Sequence, residues 1–410
     1  ITAERLLSHK AEIFAGGRNF RSVNTGQIDA RAVPAHLARF AKPHPTPGFV
    51  YNNWNPFIWS AMAEARTGTP WRELLQEKLL RPLGMKHSTA GIEDFAPDGL
   101  ARCHPGVKGA WRSDPPKPTA ILNAAGGMYT SPRDAADFIK LMITDGASAD
   151  GRIPAAVLRR SGRRAGDQDK DIWGMHRDGY GLGWDLGSFD GRRFVARSGG
   201  YMGCRAISMF LPEMDLGIVA MSNGGIGANT VHAAIFAQAI DLWTKAPDAA
   251  SQGEERIRST RQILAQAIRD ADAGDPRLAN TRPIDPAQWR SVEGAFRNDR
   301  LGDGRIALDG STLRLSIGVL SVPLLHVSGD SFLVSDDPED KATTFSFVRD
   351  DDGRVIAFLM DDDRYDRVAA DAAAPSTAGL DLDLPFELVR NRIFVPAYVN
   401  GQGPLRFMVD

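Results

Sequence analysis

The chain has 410 residues, 43% hydrophobic and 24% charged, with Lys+Arg 49 against Asp+Glu 51. At about 150 residues per domain that length holds two to three domains, and so ordinary a composition excludes whole-chain disorder and a disulfide-stapled mini-protein. A net charge of −2 lacks the basic excess of a nucleic-acid binder, and no run of about 18 apolar residues marks a transmembrane helix.

Residue 1 is Ile, with no initiator Met or signal peptide ahead of it, and the strand-like Leu405–Asp410 stops abruptly. Both ends read as cut. Asn55-Pro56 supplies an N-cap and a first-turn Pro. Phe57, Ile58, Ala61, Met62 and Ala65 then recur at helical spacing up to Gly68. Thr69-Pro70 opens a second helix with Trp71, Leu74, Leu75 and Leu79. Ser131-Pro132-Arg133-Asp134 opens a third, with Asp134 placed to return the capping bond.

Between Tyr180 and Asn223 the period changes to that of strands. Phe194–Ala196, Arg205–Phe210 and Leu216–Met221 read as an antiparallel meander, followed by a helix over Thr230–Trp243. Helices, then a meander, then a helix on the sheet indicate an α+β or mixed α/β domain. Ala246–Glu255 reads as a linker, and Ile257, Ile263, Leu264, Ala267 and Ile268 as an amphipathic connecting helix.

From Val292 to Val368 only strands are expected: Arg305–Leu308, Thr312–Ile317, Ser331–Val334, Thr344–Val348 and Val355–Met360, a small all-β barrel or sandwich. Ala369–Gly379 is a second linker. Pro385–Val389, Arg392–Val399 and Leu405–Asp410 read as strands, with Asn400-Gly401 as a hairpin turn. About thirty residues cannot bury a core alone, so this tail reads as the start of a third domain. The expected limits are 1–245, 246–291, 292–368, 369–380 and 381–410.

Several segments in order carry a resemblance: Ile1–His9, Pro47–Asn53, Leu80–Met85, Ala124–Ser131, Tyr180–Trp184, Arg197–Gly203 and Leu211–Val219. Together they resemble the serine β-lactamase-like hydrolases, the superfamily of class C β-lactamases, D-stereospecific peptidases and related esterases. The resemblance covers roughly residues 1–243. It implies a β-lactamase/penicillin-binding-protein-like α/β (α+β) domain, with an antiparallel sheet and a helical lobe, N-terminally incomplete. Acyl transfer needs a nucleophile, a base and oxyanion donors, which the family supplies from Ser-x-x-Lys, Tyr-x-Asn and a Lys/His-Ser/Thr-Gly strand.

Carried over residue by residue, Tyr51 is the base partner, Asn53 the orienting amide and Gly200 the oxyanion donor, with Arg197, Ser198 and Gly199 binding substrate. Arg197 departs from the family's Lys or His. It stays protonated, so it can anchor a carboxylate but cannot shuttle a proton. No Lys has a Ser or Thr three residues before it, and no Gly-x-Ser-x-Gly elbow exists. The nucleophile is therefore expected upstream of Ile1. Loss of the family's central nucleophile helix is expected to leave an apolar trench beside Tyr51 and to weaken residues 1–240.

Other features receive plainer readings. Cys103 and Cys204 lack metal-ligand spacing; two buried thiols are favoured over one disulfide. His9, His87, His104 and His176 read as structural or surface residues, Gly126-Gly127 as a tight turn, and Asp350–Asp352 and Asp361–Asp363 as solvated turns. Gly224-Gly225-Ile226-Gly227 lacks the third glycine of a dinucleotide site.

Val292–Val368 resembles the lipocalin-like barrel appended to some members of the superfamily. Pro385–Asp410 is similar to the opening of retroviral-type aspartic proteases, with Asp410 as a catalytic Asp cut off before Thr-Gly. The functions expected are therefore a serine acyl hydrolase, a nucleophile-free ligand-binding or sensing homologue, or a bifunctional protein with aspartic protease beyond residue 410. No cofactor and no metal are expected, the partner is a small-molecule or peptide substrate, and oligomeric state is left open. A periplasmic or secreted location follows from the resemblance only.

Overall fold

The computed structural model describes residues 1–14, 21–95, 99–104, 106–107, 110–111, 113, 116–144, 153–172, 175–201, 203–335, 342–368, 387–389, 392–399 and 402–409. They form two units, Ile1–Ala369 and Ala370–Asp410.

The first unit opens with helices α1 (Ala3–Leu7), α2 (Val33–Phe40) and α3 (Trp54–Thr67). They bury Leu6, Val33, Trp54, Phe57, Ile58 and Ala61 in one cluster. Gly68 ends α3 in the left-handed region at φ 69, the conformation glycine adopts without a Cβ clash. The helix begins two residues before the expected Pro56, with Asn53 rather than Asn55 in the cap position: the Asn52 Oδ1 accepts from Trp54 N at 2.9 Å, while Asn55 is buried inside the helix.

Helix α4 (Pro132–Ile143) starts at Ser131, whose side chain accepts from Asp134 N. Asp134 does not return the bond. Its carboxylate turns inward to His87 N at 2.7 Å and Ser88 Oγ at 2.8 Å.

A six-stranded sheet follows: β1 (Gly166–Ile172), β2 (Met175–Tyr180), β3 (Asp185–Phe189), β4 (Arg192–Tyr201), β5 (Cys204–Leu211) and β6 (Leu216–Ser222). Each strand pairs antiparallel with its chain neighbour. Helix α5 (Ala228–Trp243) packs Phe236 and Ile240 into the sheet core with Met175, Phe194, Met209 and Leu211. The meander is as expected from its alternation. The linker reading of Ala246–Glu255 is not: helix α6 runs over Ala249–Ala273, because small and charged residues favour a helix as readily as a loop.

The all-β segment is a closed antiparallel barrel of eight strands, β7 (Gly294–Asn298), β8 (Gly302–Asp309), β9 (Thr312–Ile317), β10 (Leu320–Ser328), β11 (Ser331–Val334), β12 (Thr343–Arg349), β13 (Val355–Met360) and β14 (Asp363–Arg367). Its interior is filled by Trp289, Phe296, Phe332, Phe345, Phe347, Phe358 and Tyr365 among others. Strand β10 escaped sequence reading because Pro323 stands inside it, opposite Arg314. Asp363 is not a solvated turn residue; it is buried and ion-paired with Arg300.

The second unit contains an antiparallel sheet of Glu387–Val389, Arg392–Val399 and Gln402–Val409. Asp410, Asn400 and Gly401 lie outside the described residues.

The two cysteines are joined as the disulfide Cys103–Cys204, with Cα atoms 5.0 Å apart. That corrects the thiol reading. Partners 101 residues apart in sequence leave no local signal of their pairing.

Candidate active site

His9 organises the region around Tyr51. It follows α1 in the left-handed region at φ 54 and is 4% exposed. Its carbonyl accepts from Val50 N at 2.9 Å, and its Nδ1 accepts from Asn52 N at 3.1 Å. Tyr51 is thus held between two amides anchored on one residue. Asn55 Nδ2 lies 3.1 Å from the same Nδ1, and the His9 ring stands 4.4 Å from that of Tyr51 and 5.1 Å from that of Tyr180. A backbone N–H can only donate, so Nδ1 is unprotonated and the imidazole neutral. Burial and then the charge of Arg197 lower the His9 pKa to about 4. His9 is thus structural, as expected, but its sequence position in a turn after the first helix does not say which segment it holds.

Arg197 reaches the same spot from the sheet. Its Nη2 donates to the Tyr51 hydroxyl at 2.5 Å, across 146 residues of sequence, and its Nη1 to the Tyr180 hydroxyl at 3.0 Å. Burial raises the Tyr180 pKa. Behind this group lies the ion pair Arg177–Asp185, 2.9 Å apart and buried on both sides. The guanidinium of Arg197 therefore bridges two phenols, one of them, Tyr51, 47% exposed.

The rest of the β4 end is open. Pairing of β4 with β3 stops at Asp185↔Ala196, whereas pairing with β5 continues to Tyr201↔Cys204. Arg197–Tyr201 is thus a strand edge on the β3 side. Gly199 and Gly200 are exposed, and a Cβ at Gly199 would meet nothing within 4 Å, whereas the Arg205 side chain lies across Gly200. The disulfide at Cys204 ties this hairpin end to the segment at Cys103. Asn53 is exposed at the start of α3, and its side chain makes no hydrogen bond among the described residues. The structure joins Tyr51 directly to Arg197, while Ser198, Gly199 and Gly200 follow Arg197 along one strand.

Across from Tyr201 lies Lys117, 8% exposed. Its Nζ donates to the Gly126 carbonyl at 3.1 Å and stands 4.9 Å from the Tyr201 ring centroid. Burial lowers its pKa to about 8. Gly127 is confined to its turn because a Cβ there would collide with the Asn123 backbone. Among the described residues no group of three His, Cys, Asp or Glu side chains could hold a metal ion. His176 is a surface residue, as expected, with its Nδ1 2.9 Å from the Asp171 carboxylate.

Residues 1–240, more than half of the chain, match the family model described as Beta-lactamase. The chain belongs to the beta-lactamase family. It is 28% identical over 239 residues to penicillin-binding protein 4 of Amycolatopsis lactamdurans, covering 56% of this chain and 61% of that protein. It is 23% identical over 367 residues to the unguisins hydrolase ungD of Aspergillus violaceofuscus, covering 81% and 64%. The chain thus spans about three fifths of the length of these curated relatives. A solved octameric penicillin-binding protein homologue from Pyrococcus abyssi is 18% identical, with a TM-score of 0.49 over 88% of this chain and 77% of its own. No helix among the described residues is long and apolar enough to cross a membrane.

Proposed function

We propose that this beta-lactamase family chain carries the base and oxyanion side of a serine acyl hydrolase acting on a peptide, amide or ester through an acyl-enzyme. The observation that carries this reading is the 2.5 Å contact between Arg197 and the Tyr51 hydroxyl. A guanidinium stays protonated throughout, so it stabilises negative charge on the phenol oxygen without taking the proton. In this role Tyr51 acts as the phenolate, its own proton having gone to solvent beforehand, and its Oη accepts the nucleophile's proton as the nucleophile's oxygen bonds to the acyl carbon. It then returns that proton to the departing amine or alcohol. His9 holds the Tyr51 backbone and stays neutral beside Arg197.

The oxyanion role of Gly200 is supported by ladder register. Two residues separate Phe189 from Arg192, and two separate Tyr201 from Cys204. In such hairpins the flanking pair is the hydrogen-bonded one, and successive residues alternate sides. Both hairpins then turn the N–H groups of Ser198 and Gly200 toward the edge that β3 leaves open, where an oxyanion would sit.

This reading assigns the nucleophile to a Ser-x-x-Lys outside residues 1–410. Expressed with the coding sequence preceding Ile1, the protein is expected to take one equivalent of a fluorophosphonate or penicillin-type probe. Tyr51→Phe should slow that labelling by about 10²-fold or more, and residues 1–410 alone should take none. Stoichiometric labelling of a serine within 1–410 would relocate the nucleophile. An unlabelled longer protein would instead favour the ligand-binding or sensing homologue, which the missing Ser-x-x-Lys also suits. The aspartic-protease reading of the tail stands on Thr-Gly directly following Asp410 in the coding sequence.

A further inference from the structure

Alternation along β4 places Arg197, Gly199 and Tyr201 on one face of the strand. Arg197 meets Tyr51 on that face, so Tyr201, and the Lys117 amine over its ring, lie on the Tyr51 side of the sheet. Between the two cations is Gly199, where a Cβ would meet nothing within 4 Å. Arg197 and Tyr201 are four residues apart on an extended strand, roughly 13 Å along it, which suits a ligand of acyl-amino-acid size.

The cations differ in what already occupies them. Both terminal nitrogens of Arg197 donate to phenol oxygens, Nη1 to Tyr180 and Nη2 to Tyr51. Lys117 has three N–H donors. One goes to the Gly126 carbonyl, the Tyr201 ring face takes up further positive charge, and among the described residues no carboxylate ion-pairs with it. A buried ammonium without a counter-charge is costly, and an anion arriving from the Gly199 gap would remove that cost.

We propose that Lys117, rather than Arg197, is the specificity-determining cation of this cleft, recognising a carboxylate on the substrate from beside Tyr201. The inference deepens the acyl hydrolase reading by naming the substrate class, acyl compounds bearing a carboxylate, and rests on that reading for what the cleft does. The lowered pKa of Lys117 agrees with an amine held away from water and from acids, and a bound carboxylate would raise it.

The test is equilibrium binding to the full 410-residue chain at pH 7, using benzoylglycine and its uncharged isostere benzoylglycinamide. The wild type is expected to prefer the carboxylate. Lys117→Met should weaken benzoylglycine by about tenfold or more and leave the amide unchanged, while Lys117→Arg keeps part of the preference. In the unsubstituted chain the Lys117 Cε–Hε NMR signal should move with benzoylglycine and stay in place with the amide, which needs no variant to fold. A preference that survives Lys117→Met, or an unmoved Lys117 signal, overturns the inference. Loss of preference in Arg197→Met but not in Lys117→Met would return the carboxylate to Arg197. Equal binding of the two compounds, or binding of neither, also overturns it. None of these outcomes touches the acyl chemistry, which the labelling experiment decides separately.

Discussion

His9 shows how one side chain sets the geometry of another. Its neutral ring accepts the amide that follows Tyr51, so protonation would replace an acceptor with a donor facing a donor. Its pKa is lowered to about 4 by burial, then by Arg197, whereas an unfolded His titrates near 6.5. Between those values the unfolded chain binds a proton that the native one refuses, so stability falls as pH drops from about 6.5 toward about 4. The loss amounts to roughly 3 kcal/mol at about 1.4 kcal/mol per pH unit. Thermal melts from pH 7 to 4.5 should show that decline, and His9→Gln should flatten its share of it. An identical slope in His9→Gln would show that other groups cause it. That Tyr51 and Arg197 share one site was legible from motif order. The role of His9 was not, because nothing local marks a turn histidine as the anchor of a segment more than forty residues away.

The β4–β5 hairpin owes its position to a covalent tie as well as to pairing. Cys204 follows the open edge and is joined to Cys103. Beside Cys103, His104 N donates to the Asn223 carbonyl at 2.6 Å and Asn223 Nδ2 to the Arg102 carbonyl at 3.2 Å. Removing the disulfide with a Cys103→Ser/Cys204→Ser pair should cost about 2–4 kcal/mol, read as a lower melting temperature of the oxidised protein. The same pair should also weaken ligand binding at the Gly199–Tyr201 edge; unchanged affinity would mean that the ladder alone holds the edge. Gly127→Ala tests the facing turn. Its Cβ has no room against Asn123, so about 1–3 kcal/mol of destabilisation is expected, together with displacement of Lys117 through its bond to Gly126.

At the scale of the first unit, the barrel is fastened to the helical lobe that carries Tyr51. Gln27 donates to the Asp303 carbonyl at 2.7 Å and accepts from Asp303 N at 2.6 Å. Val319 N donates to the Thr25 carbonyl at 2.9 Å, and Arg39 pairs with Asp299 at 2.6 Å. Gly318, at φ 54, packs so closely that a Cβ would collide with the Thr25 carbonyl. Val23, two residues before Thr25, is in the cluster of Trp54 and Phe57. Gly318→Ala should therefore loosen more than the barrel. Amide exchange is expected to rise over Val23–Gln27 and the start of α3, with a stability loss of about 1–3 kcal/mol. Exchange confined to the β9–β10 hairpin would show that the two parts are energetically independent.

Periodicity and punctuation determine much of this fold. The meander, the α3 and α5 helices, the all-β character of residues 292–368 and the likeness to beta-lactamase family motifs rest on local patterns, because each element buries a face whose spacing is written in consecutive residues. Three features depended on the folded chain. The barrel's closure and its Pro-bearing strand β10 need partners on both sides. The disulfide needs two distant cysteines to meet. The task of Arg197 needs to know which phenols stand within reach, and the sequence could say only that a permanent cation occupied that position. A side chain's job is set by what the fold places within about 3 Å of it, and between residues so far apart in the chain that distance is a property of tertiary structure alone.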